Sequence, residues 1–143
     1  MSQNVFAREA EAYEAFASAV TAVPIERREA PVLADGWSVK DVLWHVVHWW
    51  RDGTASFLAM HAGTHQESDS SDDETDATNA RVLEESRSMP IADVEVAVTA
   101  ARTALLEAFA TVAGRPDADE LFVSETIEHY DEHLPALRGV AGG

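Results

Sequence analysis

The sequence predicts an all-α protein, a bundle of four principal helices. Four long segments carry apolar residues spaced three and four positions apart, the period of an amphipathic helix. Prolines and glycines separate those segments, and no stretch has the alternating pattern of a strand. A chain of 143 residues suits one domain, which we expect over residues 1–138, followed by a disordered tail over 139–143.

The first helix is predicted over residues 3–23. Apolar residues recur along it at helical spacing, and Pro24 then prevents its continuation. Residues 24–37 contain two prolines and a glycine, so we expect an irregular connector there.

The second helix has a clear start signal. Ser38 is a favourable N-cap residue, and Asp41 follows it at the position of an acidic capping box. We expect this helix to run to about His61, with Gly53 as a weak point inside it and Gly63 as its stop signal.

The segment after the second helix is polar and acidic. Residues 64–76 read THQESDSSDDETD and show no helical period, so they are predicted to form a mobile crossover loop. A short helix is expected over 77–87, before the break that Pro90 imposes. The third principal helix is predicted over 91–113 and the last over about 118–137.

Composition limits the partners and the location of the protein. Ten basic and 26 acidic residues give a formal net charge of −16, which repels phosphate backbones and argues against nucleic acid. No apolar run approaches the roughly 20 residues that a membrane span needs, and the first residues lack a secretory pattern. We therefore expect a cytoplasmic protein without a membrane partner. Because cysteine is absent, a metal would bind through His, Asp or Glu.

The histidines form three pairs whose members are three or four residues apart, a spacing at which two side chains can bind one ion. The pairs are His45/His48, His61/His65 and His129/His133. His61 and His65 straddle Gly63 and enter the acidic segment, so we interpret them as surface residues. His129 and His133 border the apolar face of the last helix, where two solvated histidines are an equally good interpretation.

The directions of the helices decide whether a third histidine can join the last pair. His45 lies seven residues after Ser38, roughly 10 Å along the second helix, whereas His129 and His133 lie near the end of the last helix. In an up-down-up-down bundle these positions are at opposite ends. If the acidic segment crosses the bundle, His45 comes level with the pair. A dozen extended residues span roughly 40 Å, which is enough for that crossing.

Two segments of the chain resemble the DinB-like superfamily, and the resemblance extends over nearly the whole sequence. They are GWSVKDVLWHVVHWW (36–50) and ETIEHYDEHLPALR (125–138). Members of this superfamily, which is related to the N-terminal domain of the mycothiol-dependent maleylpyruvate isomerase, are four-helix bundles with a long crossover between helices two and three. They bind a metal through one histidine of helix two and a pair in helix four. The resemblance therefore implies that His45, His129 and His133 bind one divalent metal ion.

Two alternatives to this ligand set stay open. His48 lies one turn from His45 and could replace or join it. Glu125 and His129 have the Glu-x-x-x-His spacing with which some mycothiol-using relatives bind zinc. Asp41 and Glu125 each lie four residues before a proposed ligand and could accept its second ring proton. The simpler interpretation, which we favour, is helix-start charge for Asp41 and solvation for Glu125.

The expected chemistry follows from an ion that three histidines bind on one side. Such a site keeps positions open for water or substrate, and imidazole ligands suit Zn, Ni or Fe. Thiol-using relatives imply a metal-dependent enzyme with a small-molecule substrate, such as a low-molecular-weight-thiol S-transferase or isomerase. The alternative is a non-catalytic metal- or small-ligand-binding stress-response module. We also expect a homodimer, because helical bundles with wide apolar faces often pair.

Overall fold

A computed structural model describes residues 2–33, 36–66 and 71–142, and within these ranges it contains helices and no strand. This confirms the predicted all-α class. A 3-10 helix, Ile25–Arg27, follows the first α-helix. The α-helices are α1 (Ser2–Ala22), α2 (Val39–Ala62), α3 (Asp72–Arg87), α4 (Ile91–Ala110), α5 (Pro116–Glu125) and α6 (Ile127–Gly142). None of the described helices is long and apolar enough to cross a membrane.

The two ends of α2 are fixed by the residues that the sequence singles out. The Ser38 hydroxyl accepts a hydrogen bond from the Asp41 main-chain N–H, and the Asp41 carboxylate accepts one from the Ser38 N–H at 2.8 Å. Gly63 then ends the helix with a φ of 78°, a left-handed conformation that glycine adopts at little cost. The predicted capping box and stop signal are both confirmed.

Contacts at both ends show that α2 and α4 run in the same direction. Near their starts, the Lys40 ammonium donates to the carbonyl oxygen of Met89 at 2.8 Å. Near their ends, the Arg115 guanidinium donates to the carbonyl oxygen of Met60 at 3.0 Å. The residues between α2 and α4 therefore return the chain along the length of α2.

The last two helices run antiparallel to α2. Glu125, at the end of α5, packs against Gly53 in the second half of α2. His129, in the first turn of α6, lies beside His45 in the first half of α2. Later residues of α5 and α6 thus pack against earlier residues of α2, as in an antiparallel arrangement. This arrangement brings His45 level with the start of α6.

One hydrophobic cluster fills the space between the helices, and aromatic rings form its centre. Phe109 of α4 and Phe122 of α5 stack with their ring centroids 3.9 Å apart. Trp50 and Phe57 of α2 are fully buried in the same cluster. The cluster joins α1, α2, α4, α5 and α6, so the elements that carry the histidines share one core.

A buried polar network also joins three of these helices. The Glu9 carboxylate of α1 is 1% exposed and accepts two hydrogen bonds from the Arg102 guanidinium of α4, at 2.6 and 3.1 Å. It accepts a third from the Tyr130 hydroxyl of α6 at 2.8 Å. Burial raises the pKa of Tyr130, so this hydroxyl keeps the proton that it donates.

The acidic segment is helical over part of the range predicted to be a loop. α3 begins at Asp72, because the Ser71 hydroxyl accepts a hydrogen bond from the Glu74 N–H and three acidic residues occupy the first turn. The loop prediction is therefore wrong from residue 72 onward. Residues 67–70 of the predicted loop lie outside the described residues.

The end of the chain also differs from the sequence prediction. The predicted last helix is divided at Thr126, where φ is −118° and ψ is −85°, and the Thr126 hydroxyl donates to the Phe122 carbonyl at 2.6 Å. α6 then continues through Pro135 to Gly142. Residues 139–142 are thus helical rather than disordered, because Val140 is buried against the core. Gly143 lies outside the described residues.

Candidate metal centre

Three histidines from α2 and α6 converge where these helices meet. One ligand nitrogen each of His45, His129 and His133 lies within 4.8 Å of the other two. The Nε2 atoms of His45 and His129 are 3.1 Å apart, and the ring centroids of His45 and His133 are 5.3 Å apart. His45 and His129 are buried and His133 is half-buried. The structure therefore brings together the three histidines that the sequence selects.

The start of α6 presents two of these histidines on one face. His129 and His133 are one helical turn apart, and their ring centroids are 4.9 Å apart. Because the helix breaks at Thr126, α6 begins at Ile127 and both histidines lie in its first two turns. Tyr130 lies between them in sequence and anchors this turn to Glu9. The pair is thus held by both the helix and the buried polar network.

The separation of the nitrogens suits a single divalent ion. Nitrogens bound to one zinc ion lie roughly 3.3 Å from each other in a tetrahedral site. The Nε2 atoms of His45 and His129, 3.1 Å apart, are close to that separation. All three ligand nitrogens lie within 4.8 Å of one another, so small side-chain rotations could bring them to it. These residues could therefore hold a metal ion.

Burial keeps two of the histidines uncharged. Loss of hydration lowers the pKa of His45 to about 4 and the pKa of His129 to about 3, and repulsion from His133 lowers both further. Neutral imidazole is the form that binds metals. Protons therefore do not compete with a metal for these two ligands at neutral pH.

Two tryptophans border His45. The ring centroid of Trp37 is 5.4 Å from that of His45, and the ring centroid of Trp49 is 6.5 Å away, both in edge-to-face geometry. The Trp49 indole N–H donates to the Asn79 side-chain oxygen of α3 at 3.0 Å. Trp49 follows His45 by one helical turn, so spacing alone could have found it. Trp37 precedes the helix, and no periodicity in the sequence places it at the site.

The other histidines lie apart from this centre. Within the described residues, the group of potential ligands includes neither His48 nor Glu125. The His48 ring instead meets the Trp49 ring edge-to-face at 4.9 Å. His61 is exposed, as predicted, whereas His65 is half-buried.

Neither carboxylate receives the second ring proton of a histidine. The Asp41 carboxylate accepts hydrogen bonds from the Ser38 N–H and the Ser86 hydroxyl, while His45 Nδ1 has no hydrogen-bond partner among the described residues. The helix-start role suggested for Asp41 is therefore confirmed. The His129 ring bonds to the main chain of Glu125, not to its carboxyl group.

The carboxyl group of Glu125 is buried against α2 near Gly53. Its Oε2 atom has no hydrogen-bond partner among the described residues. Burial, together with the negative charge of nearby Asp52, raises the pKa of Glu125 to about 7. The solvated role that the sequence suggests for this side chain is thus wrong.

Comparison with protein families adds an independent observation. Residues 9–128 match the family described as the mycothiol maleylpyruvate isomerase N-terminal domain. The match includes His45 and ends one residue before His129, so the α6 pair lies just beyond it. Searches of curated proteins and of solved structures find no match. Because the family match covers most of the chain, the protein belongs to the mycothiol maleylpyruvate isomerase N-terminal domain family, within the DinB-like superfamily.

Proposed function

We propose that this protein is a metal-dependent enzyme that binds one divalent ion through His45, His129 and His133. Its substrate in this proposal is a low-molecular-weight thiol, and its reaction is an S-transfer or an isomerisation. The convergence of three imidazoles from two helices is the observation that carries the proposal. Membership of a family named after mycothiol maleylpyruvate isomerase supports the choice of a thiol.

The burial of the histidines supports a bound ion. His45 Nδ1 has no hydrogen-bond partner among the described residues, and an unpaired buried polar group costs about 1–3 kcal/mol. The cluster therefore carries a cost that the fold alone does not offset. Metal binding through the facing nitrogens would leave His45 Nδ1 unpaired, but the free energy of that binding would offset the cost.

The surrounding residues have distinct parts in the proposed chemistry. An ion on three histidines supplies open coordination positions and lowers the pKa of a bound thiol. His45 and His129 contribute neutral rings whose burial keeps protons away. Trp37 and Trp49 cover two sides of the His45 ring and limit the approach of water. Zn, Ni and Fe all accept this ligand type.

The metal content of purified variants tests the site. Protein purified without a His tag should contain about one divalent ion per chain, because the described residues provide one such group of three histidines. His45→Ala, His129→Ala and His133→Ala should each weaken metal binding by at least about tenfold, as measured by competition with a chelator. His48→Ala and His61→Ala are the matched controls and should retain the ion. Full metal content in all three ligand variants would refute the site, and loss in His48→Ala alone would move the α2 ligand by one turn.

Cobalt substitution tests the thiol. A thiol that binds Co²⁺ in the protein should add a sulfur-to-metal charge-transfer band in the near ultraviolet, and the band should strengthen with pH as the thiol deprotonates. The band should be absent in His129→Ala and His133→Ala. If mycothiol, bacillithiol, glutathione and coenzyme A all leave the spectrum unchanged, a non-catalytic metal-binding module becomes the better interpretation. Turnover of an electrophile by the thiol-loaded protein separates an enzyme from such a module.

A further inference from the structure

The burial of α3 against the rest of the molecule is confined to its second half. Val82 and Ser86 are the residues of this helix that are buried, and both lie in that half. Beside the first half, a polar cleft of about 680 Å³ is lined by Glu74 of α3 and by Asp52 and Ser56 of α2. The first half of α3 is therefore less firmly packed on α2 than the second.

Side-chain hydrogen bonds between α3 and α2 reach the part of α2 that carries His45. Among the described residues there are three such contacts, and each partner on α2 lies within four positions of His45 in the chain. The contacts are Trp49 to Asn79 at 3.0 Å, Trp44 to Glu85 at 3.2 Å and Ser86 to Asp41 at 2.5 Å. The ring centroid of Trp49 is also 6.5 Å from that of His45. α3 thus lies over the α2 segment that carries a proposed metal ligand.

The turn after α3 is anchored independently of these contacts. The ammonium of Lys40, a residue that is 7% exposed, donates to the Met89 carbonyl oxygen at 2.8 Å. The Asp41 carboxylate accepts its hydrogen bond from the Ser38 N–H through a different oxygen from the one that Ser86 contacts. The start of α2 therefore stays capped when α3 moves, and the turn at Met89 can serve as the hinge.

The charge of α3 favours its separation from the bundle. Asp72–Arg87 contains six acidic and two basic residues, so its formal charge is 2 − 6 = −4. The whole chain carries −16, which leaves −16 + 4 = −12 on the remaining residues. Like charges on the helix and on the body repel each other. This repulsion lowers the free energy needed to detach α3.

We infer that α3 is a movable cover, which detaches from α2 as one unit and turns about Met89 while the other helices stay folded. Units that bury few side chains open at a lower free energy than the core of the same protein. Opening exposes Trp49 and the surface of α2 beside His45. The use of this opening as the entry path to the metal centre rests on the proposed function, whereas the opening itself does not.

Amide hydrogen exchange of the metal-free protein tests the opening. After correction for intrinsic rates, amides along the whole of α3 should exchange at least roughly 100-fold faster than those on the buried face of α4. Val82→Ala removes buried apolar contact and should accelerate exchange in α3 roughly tenfold further, without effect on α4. Glu84→Ala is the matched control on the same helix. Because the Glu84 side chain is 79% exposed, this variant should change exchange in α3 by no more than about twofold.

The rates of Co²⁺ exchange test whether α3 controls entry to the metal centre. If the ion passes through the open form, a chelator should remove Co²⁺ from Val82→Ala roughly tenfold faster than from the unmodified protein. Co²⁺ should also enter the variant roughly tenfold faster. The dissociation constant should then be unchanged, because a larger open population accelerates both directions equally. Glu84→Ala should change neither rate.

The outcomes separate the inference from the proposed function. Exchange in α3 as slow as in α4, or equal acceleration of both helices by Val82→Ala, would overturn the inference, because α3 would then unfold only with the whole bundle. Unchanged Co²⁺ rates in Val82→Ala, or faster release without faster entry, would overturn the role of α3 at the metal centre. If the unmodified protein binds no divalent ion, the proposed function fails, and the amide exchange still decides whether α3 detaches.

Discussion

The carboxyl group of Glu125 occupies space that a glycine leaves open. A Cβ atom added at Gly53 would lie 3.3 Å from Leu105 and 3.6 Å from the Glu125 Cγ. The absence of a side chain at position 53 therefore lets α5 approach α2 closely, and this approach buries the acid. Because its pKa rises to about 7, Glu125 takes up a proton near neutral pH.

This raised pKa predicts a pH-dependent stability. The folded state binds more protons than the unfolded state between the ordinary pKa of 4.5 and about 7, so the contribution of Glu125 to the free energy of unfolding is present at low pH and is lost as pH rises through 7. Glu125→Gln removes this loss of stability at higher pH, because glutamine does not ionise. Relative to the unmodified protein, the variant should gain roughly 1–2 kcal/mol between pH 5 and pH 8, measured by urea unfolding of metal-free protein.

The comparison is internally controlled. The lowered pKa values of His45 and His129 act in the opposite direction, since they make the folded state more stable as pH rises from about 3 towards 6.5. Their effect is common to both proteins and cancels in the difference. Glu128→Gln changes an exposed acid on the same segment and should leave the profile unchanged. Parallel profiles for Glu125→Gln and the unmodified protein would contradict the prediction.

At the level of single residues, the sequence identifies the three clustered histidines better than their surroundings. His45, His129 and His133 are found because helical spacing and the family resemblance mark them. The contacts of Trp49 with Asn79 and of Glu9 with Arg102 join residues on different helices that are 30 and 93 positions apart in the chain. No local pattern encodes such a contact, because it depends on how whole helices pack.

The helices themselves are held in register by the Glu9 network. It connects α1, α4 and α6 through hydrogen bonds to a carboxylate that is almost completely buried. Tyr130, one member, is next to His129 in α6. The network therefore ties the helix that carries two proposed ligands to α1 and α4.

Removal of one partner from this network should destabilise the fold strongly. Arg102→Met leaves the Glu9 carboxylate buried without its cation, and we expect a loss of about 2–3 kcal/mol after allowance for the partial exposure of Arg102. The triple variant Glu9→Met, Arg102→Met, Tyr130→Phe leaves no orphaned group and should be more stable than Arg102→Met alone. Thermal and urea unfolding measure both. If the triple variant is less stable than Arg102→Met, the network's own hydrogen bonds contribute more to stability than the unpaired Glu9 charge costs.

The boundaries of the elements could be predicted where a capping residue marks them. Ser38, Asp41 and Gly63 define α2 because each acts locally. The start of α3 also carries a local signal, since Ser71 precedes three acidic residues. The segment nevertheless has no apolar residues at helical spacing, so its hydrophobic pattern predicts a loop. The break at Thr126 has neither proline nor glycine, so its cause lies in tertiary packing.

At the scale of the whole molecule, apolar packing and net charge act against each other in association. Val96 is 71% exposed on α4, and it lies on a face with Ala100 and Ala104 that the described residues leave uncovered. Small side chains allow two helices to approach closely, so this face suits contact with a second copy. A net charge of −16 on each chain opposes that contact.

These opposing terms predict a homodimer whose stability increases with salt. Salt screens the repulsion between two acidic chains but weakens apolar contact very little. Light scattering at micromolar concentration should therefore give a dimer mass, and the dimer dissociation constant should fall by roughly tenfold between 0.02 and 0.5 M salt. Ala100→Glu places two more charges in the contact and should give monomers, whereas Ser124→Glu, exposed on α5, should not. A monomer mass at every salt concentration would contradict the prediction, and a dimer unaffected by Ala100→Glu would place the contact on another face.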